Sequence, residues 1–210
     1  MEQSRIGEIE EILINAFPAV EREIYDGWIL NFSSGYTYRA NCIYPFYHSS
    51  YDLEEKVIYC ENQYRELLLP AIYKMTSAVP KDLDALLKVR GYDNVKYVDV
   101  LYRSLEDWQI PQFKWTEKGY EIITMSQMDD EWLDGVNELI DIPYPSMEKI
   151  QKKIFQRIRL PLVCIKIRHQ GKVIGTGLGV LERHYIGLYA IHVHPAYRRR
   201  GLAMKICSRI

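Results

Sequence analysis

The sequence lacks the features that mark a metalloprotein, a secreted protein or a membrane protein. Its four cysteines lie far apart and form no C-x-x-C pair, so neither a zinc site nor a disulfide framework is predicted. No apolar run approaches the roughly 20 residues that cross a bilayer, and the N-terminus has no charged-then-apolar signal pattern. We therefore expect a protein of the reducing cytoplasm that binds neither a metal nor a membrane.

The sequence also has little net charge. Its 27 basic and 28 acidic residues leave a net charge of −1, so the protein as a whole has no field that would attract nucleic acid. A hydrophobic content of 48% and a charged content of 26% are typical of a folded globular protein. A length of 210 residues accommodates one large domain or two small ones.

The segment from Val193 to Ala203 carries the strongest functional signal. It follows an apolar stretch with β propensity, residues 186–193, and precedes an apolar helix that starts near Leu202. The first amides of a helix have no partner within the helix, and the helix dipole places partial positive charge there. Gly201 lets the backbone approach a ligand closely, and the arginines at 198–200 offer planar donors for phosphate oxygens. This order of elements predicts a pyrophosphate site at a helix N-terminus.

The same segment resembles a motif of the GCN5-related N-acetyltransferases (GNAT). The pattern R-x-x-G-x-A at 198–203 matches that family's R/Q-x-x-G-x-G/A loop, and V-x-P-x-Y at 193–197 fits its usual approach. The resemblance implies that the loop amides hold the pyrophosphate of acetyl-coenzyme A, and that the preceding strand hydrogen-bonds its pantetheine arm. The cofactor-binding residues implied in this way are Ile191, His192, Val193, Arg198, Arg199, Arg200, Gly201, Leu202 and Ala203.

The order of elements in the second half is similar to the first part of the acetyltransferase fold. A strand is predicted at 120–124, helices at 129–140 and 147–158, strands at 162–168, 172–181 and 186–194, and a helix after the loop. The resemblance implies an α/β fold with a mixed sheet, similar to the GNAT acyl-CoA N-acyltransferases. Residues 119–210 are expected to form an acetyl-CoA-binding GNAT domain.

The first half is predicted to be a second domain. Its patterns predict helices at 6–17, 53–68 and 81–90, a hairpin of strands at 27–32 and 36–43, and further strands at 71–75 and 95–102. Residues 1–104 resemble the divergent acetyltransferase-like N-terminal domain that some members of the superfamily carry. Residues 105–118 are predicted to be a linker.

The sequence departs from the family after the loop, because it continues for only seven residues beyond Ala203. A complete catalytic domain of the family continues with a strand, a helix and a final strand, which form the far wall of the cleft. We expect the sequence to be incomplete at its C-terminus. The alternative is that strands of the first half supply the missing wall.

Acetyl transfer from a thioester to an amine requires a neutral amine and a way to stabilise the tetrahedral oxyanion. The resemblance implies that the backbone amides of Ile191 and Val193 orient the donor and contact the oxyanion. The candidate catalytic side chains are Glu182, as a general base acting through a water chain, and Tyr189, as a proton relay. The alternatives are that Glu182 lies in a solvated hairpin tip, which we favour, and that Tyr189 only packs in its strand.

Three glycines, at 175, 177 and 179, recur at every second residue of a predicted strand. This spacing leaves one face of the strand without side chains, so a ligand or a neighbouring helix can lie close to it. We expect a cofactor or substrate groove there, since no lysine and serine follow as they do in a P-loop.

The sequence predicts an N-acetyltransferase that moves the acetyl group of acetyl-CoA to a primary amine of a small molecule or peptide, by direct attack in a ternary complex. The acceptor pocket is expected in the loops at 143–147 and 181–185. The main alternative is a non-catalytic acyl-CoA-binding or interaction module. Nucleic-acid binding through residues 198–200 is disfavoured by the near-zero net charge, and the sequence does not determine the oligomeric state.

Overall fold

The computed structural model of the chain describes residues 2–109, 119–142 and 144–210. The chain divides into two compact units. The first contains residues up to 101 together with 153–157, and the second contains residues 102–152 and 158–210. Residues 110–118, most of the predicted linker, lie outside the described residues. No helix within the described ranges is long and apolar enough to cross a membrane.

The described part of the first unit combines helices with a small antiparallel sheet. Its elements are α1 (Glu2–Ala16), β1 (Glu21–Tyr25), β2 (Trp28–Phe32), β3 (Ile43–Tyr44), α2 (Leu53–Glu66) and α3 (Lys81–Val89). The strands pair in the order β1-β2-β3. The three helices confirm the prediction from hydrophobic periodicity, and Asp52 caps α2 by accepting hydrogen bonds from the backbone N–H groups of Glu54 and Glu55.

The predicted hairpin of strands at 27–32 and 36–43 is wrong. The hairpin joins β1 to β2 instead, because Asp26 and Gly27 both take the positive φ angles that a tight two-residue turn requires, 42° and 82°. The segment after β2 is a loop organised by the buried side chain of Asn41. Its Oδ1 accepts hydrogen bonds from two backbone N–H groups, and its Nδ2 donates to two carbonyls, all within residues 33–37. These bonds replace the ladder of a strand.

The other strands predicted in the first half are short or absent. Residues 71–75 contribute a single parallel bridge, between Tyr73 and Ile43. Residues 95–102 form no strand in the described chain, and Tyr97 and Leu101 are 86% and 91% exposed. An alternating pattern becomes a strand only where a neighbouring edge supplies hydrogen-bond partners, which a local pattern does not reveal.

The hydrophobic core of the first unit encloses a buried lysine. Lys56 is completely buried, and its ammonium group lies 4.3 Å from the centre of the Trp28 ring. Its Nζ lies 3.1 Å from Oδ2 of Asp26 and donates a hydrogen bond to the Asp26 carbonyl. Hydrogen bonds from the Ser50 hydroxyl and the Tyr51 backbone N–H hold the pKa of Asp26 well below its usual range. These bonds connect the β1–β2 turn to α2.

The second unit contains a four-stranded antiparallel sheet in the order β4-β5-β6-β7. Its elements are β4 (Tyr120–Met125), α4 (Asp130–Ile140), the first two turns of α5 (Pro145–Gln156), β5 (Leu162–His169), β6 (Lys172–Glu182), β7 (Tyr185–Val193) and α6 (Leu202–Cys207). The end of α5, from residue 153, belongs to the first unit. This order confirms the predicted series of elements. Together with the first unit it confirms the predicted α/β class.

Helix α4 is fixed to the sheet at its first turn. The Asp129 side chain accepts a hydrogen bond from the backbone N–H of Trp132, with an N–O distance of 2.8 Å, and caps the helix. The indole Nε1 of the buried Trp132 donates to the carbonyl of Ile165 on β5 at 3.0 Å. Further along, Gly135 lies so close to Val173 that a Cβ would approach its Cγ1 to 2.7 Å. The small residue therefore lets α4 pack directly on β6.

Helix α6 and the residues after it cover the glycine face of β6. A Cβ built on Gly177 would lie 2.1 Å from Cγ2 of Ile206, and one on Gly179 would lie 2.2 Å from Cγ2 of Ile210. The expectation of a ligand groove on this face is therefore wrong, and the other possibility, a closely packed helix, is correct. A strand face without side chains is covered by an apolar surface, because close packing excludes water from it. Here the apolar side chains come from the same chain.

Candidate functional site

Strand β7 contains a β-bulge at the centre of its pairing with β6. The register shifts between Thr176 and Leu178, so that Gly177 faces two residues, Ala190 and Ile191. Ala190 has a φ of +49°, which is uncommon for a residue with a Cβ. The buried Thr176 side chain donates a hydrogen bond from Oγ1 to the Ala190 carbonyl at 3.1 Å. The bulge is thus held in place by a side chain and re-aims the backbone of β7.

The outer edge of β7 carries main-chain donors. β7 is the last strand of the sheet in the described part of the chain. The N–H of His194 donates to the Ile174 carbonyl on β6 at 2.9 Å. Because N–H groups of an antiparallel strand alternate between its two sides, those of Ile191 and Val193 point away from β6. The two amides predicted to orient the donor therefore lie on the open edge, one of them at the bulge.

The loop after β7 is fastened to that edge by Arg198. Its Nε donates to the Val193 carbonyl at 3.0 Å, and its backbone N–H bonds to the Pro195 carbonyl. His194 shapes the turn, since its Nδ1 lies 3.2 Å from the Ala196 nitrogen and accepts a hydrogen bond from it. Arg198 therefore holds the loop against the strand.

The other two arginines of the loop differ in their surroundings. Arg200 donates from Nη1 to the Tyr120 hydroxyl at 3.1 Å, and its guanidinium lies 5.4 Å from the centre of the Tyr197 ring. Arg199 is exposed, has a φ of +64°, and is paired with no group in the described part of the chain. Arg199 is thus the arginine best placed to meet an anion from solvent.

Gly201 presents bare backbone at the start of α6. Its φ is +77°, and a Cβ built on it would meet no atom within 4 Å. Leu202 is buried and packs in a core cluster with Ile206 and residues of β5 and β6, whereas Ala203 is exposed. The helix therefore begins with an open stretch of main chain, which suits a bulky anion.

An aromatic cluster that sequence reasoning missed lies at the base of the loop. The rings of Tyr120 and His169 stack with their centres 4.5 Å apart, and Tyr197 of the loop meets both edge-on. His169 also lies within hydrogen-bond distance of the Gly119 carbonyl, 2.9 Å from its Nδ1. These rings come from β4, β5 and the loop, so their proximity depends on strand pairing that no local pattern reveals.

The structure does not bring Glu182 to the bulge. Glu182 ends β6 and pairs with Tyr185, five positions from Ala190 along β7. At about 3.3 Å per residue this separation is roughly 16 Å, whereas direct proton transfer requires about 3 Å. The Glu182 side chain is only 12% exposed and its carboxylate lies 4.0 Å from Nε of Arg183. Its role as a base stays a prediction that requires a chain of several waters.

Tyr189 directly precedes the bulge. Its ring lies against Gly187, where a Cβ would approach Cε2 of Tyr189 to 2.6 Å. This packing agrees with the alternative that Tyr189 fills space in its strand, and its role as a relay stays a prediction. His192 pairs with Thr176 and is half-buried; burial first, and then the charge of Arg198, lower the pKa of His192. The lowered pKa favours the neutral form of the His192 imidazole.

The loops predicted to form the acceptor pocket are largely regular structure. Residue 143 lies outside the described residues, and residues 145–147 form the first turn of α5. At 181–185 only the two-residue turn of Arg183 and His184 separates β6 from β7. Cys164 is a buried residue, and burial raises the pKa of its thiol to about 12.

Known proteins resemble this chain in sequence. Residues 125–210, which include β7 and the loop, match the sequence model of the family described as "Acetyltransferase (GNAT) family". The chain is 25% identical over 210 residues to the uncharacterized N-acetyltransferase YobR of Bacillus subtilis (strain 168), and the match covers 96% of this chain and 79% of that protein.

Solved structures share the fold over most of the chain. A GCN5-related N-acetyltransferase from Kribbella flavida superimposes with a TM-score of 0.66 at 11% identity, covering 96% of this chain and 77% of that one. A functionally unknown conserved protein from Staphylococcus epidermidis ATCC 12228 has a TM-score of 0.52 at 9% identity, covering 92% and 79%. At these low identities the two superpositions show a shared fold only. The family match covers only the second half of the chain, so this half is similar to the acetyltransferases of that family.

Proposed function

We propose that the chain transfers the acetyl group of acetyl-CoA to a primary amine of a small molecule or peptide, by direct attack in a ternary complex. The observation that carries the proposal is the bulge at Ala190 on the open edge of β7, which leads directly into the loop at 198–203. Main-chain donors for the acyl arm and open main chain for a pyrophosphate thus follow one another along the chain.

The donor would lie along β7 and end at the loop. The N–H groups of Ile191 and Val193 suit an extended amide-containing arm, because they would pair with it as the next strand of the sheet does. The backbone around Gly201 suits the pyrophosphate, since a Cβ there meets nothing within 4 Å. The exposed guanidinium of Arg199 adds positive charge, while Arg198 and Arg200 hold the loop in shape.

The chemistry proposed at the bulge is attack of a neutral amine nitrogen on the thioester carbonyl carbon. A C–N bond forms, the carbonyl oxygen takes the negative charge, and the C–S bond then breaks to release the thiolate. The N–H of Ile191, on the open edge beside the bulge, would donate to that oxygen and lower the barrier. The ammonium proton leaves to water, since Glu182 lies too far away for direct transfer and Tyr189 stays a candidate relay.

The test is calorimetric titration of acetyl-CoA into the 210-residue chain, followed by an assay of thiol release with a panel of primary amines. Saturable binding near 1:1 together with thiol release supports the proposal. Binding without release on any amine would favour the non-catalytic acyl-CoA-binding module. The absence of binding in a sample with a cooperative unfolding transition would overturn the assignment of the site.

A further inference from the structure

The bulge in β7 brings His192 to the same face of the sheet as Tyr189. Tyr189 lies opposite Leu178 on β6, and His192 lies opposite Thr176. Directly opposite residues of an antiparallel pair share a face, and so do residues two positions apart in one strand. In a regular strand, residues 189 and 192 would lie on opposite faces. The extra residue of the bulge therefore turns the His192 side chain to the face of Tyr189.

His192 adjoins the amide proposed to hold the thioester oxygen. Ile191 directly precedes it, and the Cα atoms of consecutive residues are about 3.8 Å apart. By contrast, Glu182 lies roughly 16 Å from the bulge along the strand. The ring of Tyr189 lies over Gly187, on the side of the bulge away from His192. We therefore expect one bridging water to connect the His192 imidazole with an amine at the bulge.

The ring nitrogens of His192 are available to a water or a substrate. Within the described residues neither nitrogen forms a hydrogen bond, and neither is sealed from solvent. The ring of His169, by contrast, contacts the Gly119 carbonyl, and Nδ1 of His194 accepts a hydrogen bond from the Ala196 backbone. Those two histidines support the fold, whereas the His192 imidazole keeps both its donor and its acceptor for another molecule.

The surroundings of His192 favour its neutral form. Burial first, and then the positive charge of Arg198, lower the pKa of His192. Lys166 on β5 lies in the same cross-strand row, two strands away, and its charge is balanced by Asp129 and Glu131 at the start of α4. A neutral imidazole carries a lone pair, which a group that accepts a proton requires.

We propose that His192 is the general base of the acetyl transfer proposed above, on which this role rests. After the amine nitrogen has attacked the thioester carbon, its ammonium proton passes to a water, and that water gives a proton to a ring nitrogen of His192. The C–S bond then breaks, and the imidazolium returns the proton to the departing thiolate. The imidazole is thereby regenerated, and the products are the acetylated amine and the free thiol of coenzyme A.

The first test compares His192→Gln with His48→Gln in the assay of thiol release, using the whole chain and a panel of primary amines. Glutamine keeps a polar side chain but cannot take up the proton, so kcat should fall about a hundredfold. The Kd for acetyl-CoA should change less than about twofold, because backbone groups hold the donor. His48 is an exposed histidine of the first unit, and its variant should keep the wild-type kcat. A wild-type kcat in His192→Gln would overturn the proposal.

The pH profile gives a readout that a structural role would not move. The base works only when neutral, so the wild-type kcat should fall as the pH drops through the His192 pKa, which lies below its usual 6.5. His192→Gln should lose this acidic limb. A limb that persists in the variant, or that moves with the pKa of the amine used, would belong to another group and contradict the proposal.

Imidazole rescue separates a proton acceptor from a residue that only supports the bulge. His192→Ala leaves room for a small base, so about 50 mM imidazole should raise its rate about tenfold or more. The same addition should leave the rate of His48→Ala unchanged. A lower melting temperature of His192→Ala, without any gain from imidazole, would show that His192 only supports the fold and would overturn the proposal.

The wild-type chain keeps the two proposals distinguishable. If it does not bind acetyl-CoA, or binds it without releasing thiol on any amine, the proposed function fails and the role of His192 fails with it. If the wild type binds and releases thiol, and His192→Gln does so at the same rate, the role of His192 fails alone.

Discussion

Gly201→Trp should abolish acetyl-CoA binding while the fold survives. Gly201 has a φ of +77°, and an added Cβ meets no atom of the protein within 4 Å, so a side chain there starts in open space and extends over the backbone proposed to hold the pyrophosphate. The backbone cost of a non-glycine residue in this conformation is roughly 1–2 kcal/mol. Loss of the open main chain should add at least a hundredfold increase in Kd, about 2.8 kcal/mol.

Gly171→Trp is the matched control for the backbone cost. Gly171 lies in the turn between β5 and β6, has the same φ of +77°, and an added Cβ there also meets nothing within 4 Å. The two variants should therefore lose similar stability, measured by thermal unfolding, whereas only Gly201→Trp should lose affinity, measured by calorimetry. Arg199→Ala removes one exposed charge and should raise the Kd less than tenfold.

Two results would refute this reasoning about the loop. An acetyl-CoA affinity of Gly201→Trp equal to that of the wild type would show that no ligand lies over this backbone. An equal loss of affinity in Gly171→Trp would show that the effect comes from reduced stability and not from the site.

Three further predictions concern the strand, the loop and the first unit. Gly177→Ala should destabilise the protein by about 1–3 kcal/mol in thermal unfolding, because the added Cβ lies 2.1 Å from Cγ2 of Ile206. Arg198→Gln should raise the Kd for acetyl-CoA about tenfold in calorimetry, since it removes the bond that ties the loop to the Val193 carbonyl. The pKa of Asp26 is lower in the folded protein than in the unfolded chain. The ionised Asp26 therefore stabilises the fold above its unfolded pKa of about 4, and this stabilisation is lost as the pH falls below that value. Asp26→Asn should flatten the pH dependence of the unfolding free energy, measured with urea between pH 5 and about pH 2.

Each of these has a matched control. Gly7→Ala on α1 meets no neighbour and should stabilise slightly, so equal destabilisation by both glycine variants would contradict the packing argument. Arg159→Gln removes the same charge from an exposed position, and an equal loss of affinity there would mean that net charge matters and the loop bond does not. Asp93→Asn, at an exposed site, should leave the acid dependence unchanged.

Several structural features could be predicted from the sequence because their signals lie within a few consecutive residues. The helices α1, α2 and α3 follow from hydrophobic periodicity and from their caps and stops, which act within a few residues. The loop motif at 198–203 likewise depends on chain order alone, and it predicted the family that residues 125–210 match. The hairpin of β1 and β2 also has a sequence signal, because Asp26-Gly27 is a strong two-residue turn sequence. The strand before it, residues 21–25, is mostly polar and lacks a clear alternation of apolar and polar residues, so the hairpin was not predicted.

Other structural features could not be predicted from local sequence patterns. The bulge at Ala190 has no glycine to mark it, and its positive φ depends on the register of β6 and on the Thr176 hydroxyl. Asn137 on α4 is buried, and its burial depends on packing. The sequence by itself determined the helices and the order of strands in the second half, and it predicted an anion loop at 198–203, because propensity and chain order act over short distances. Only the tertiary structure decided which edge of the sheet stays open and what covers the glycine face, because strand pairing and packing bring together residues far apart in the chain.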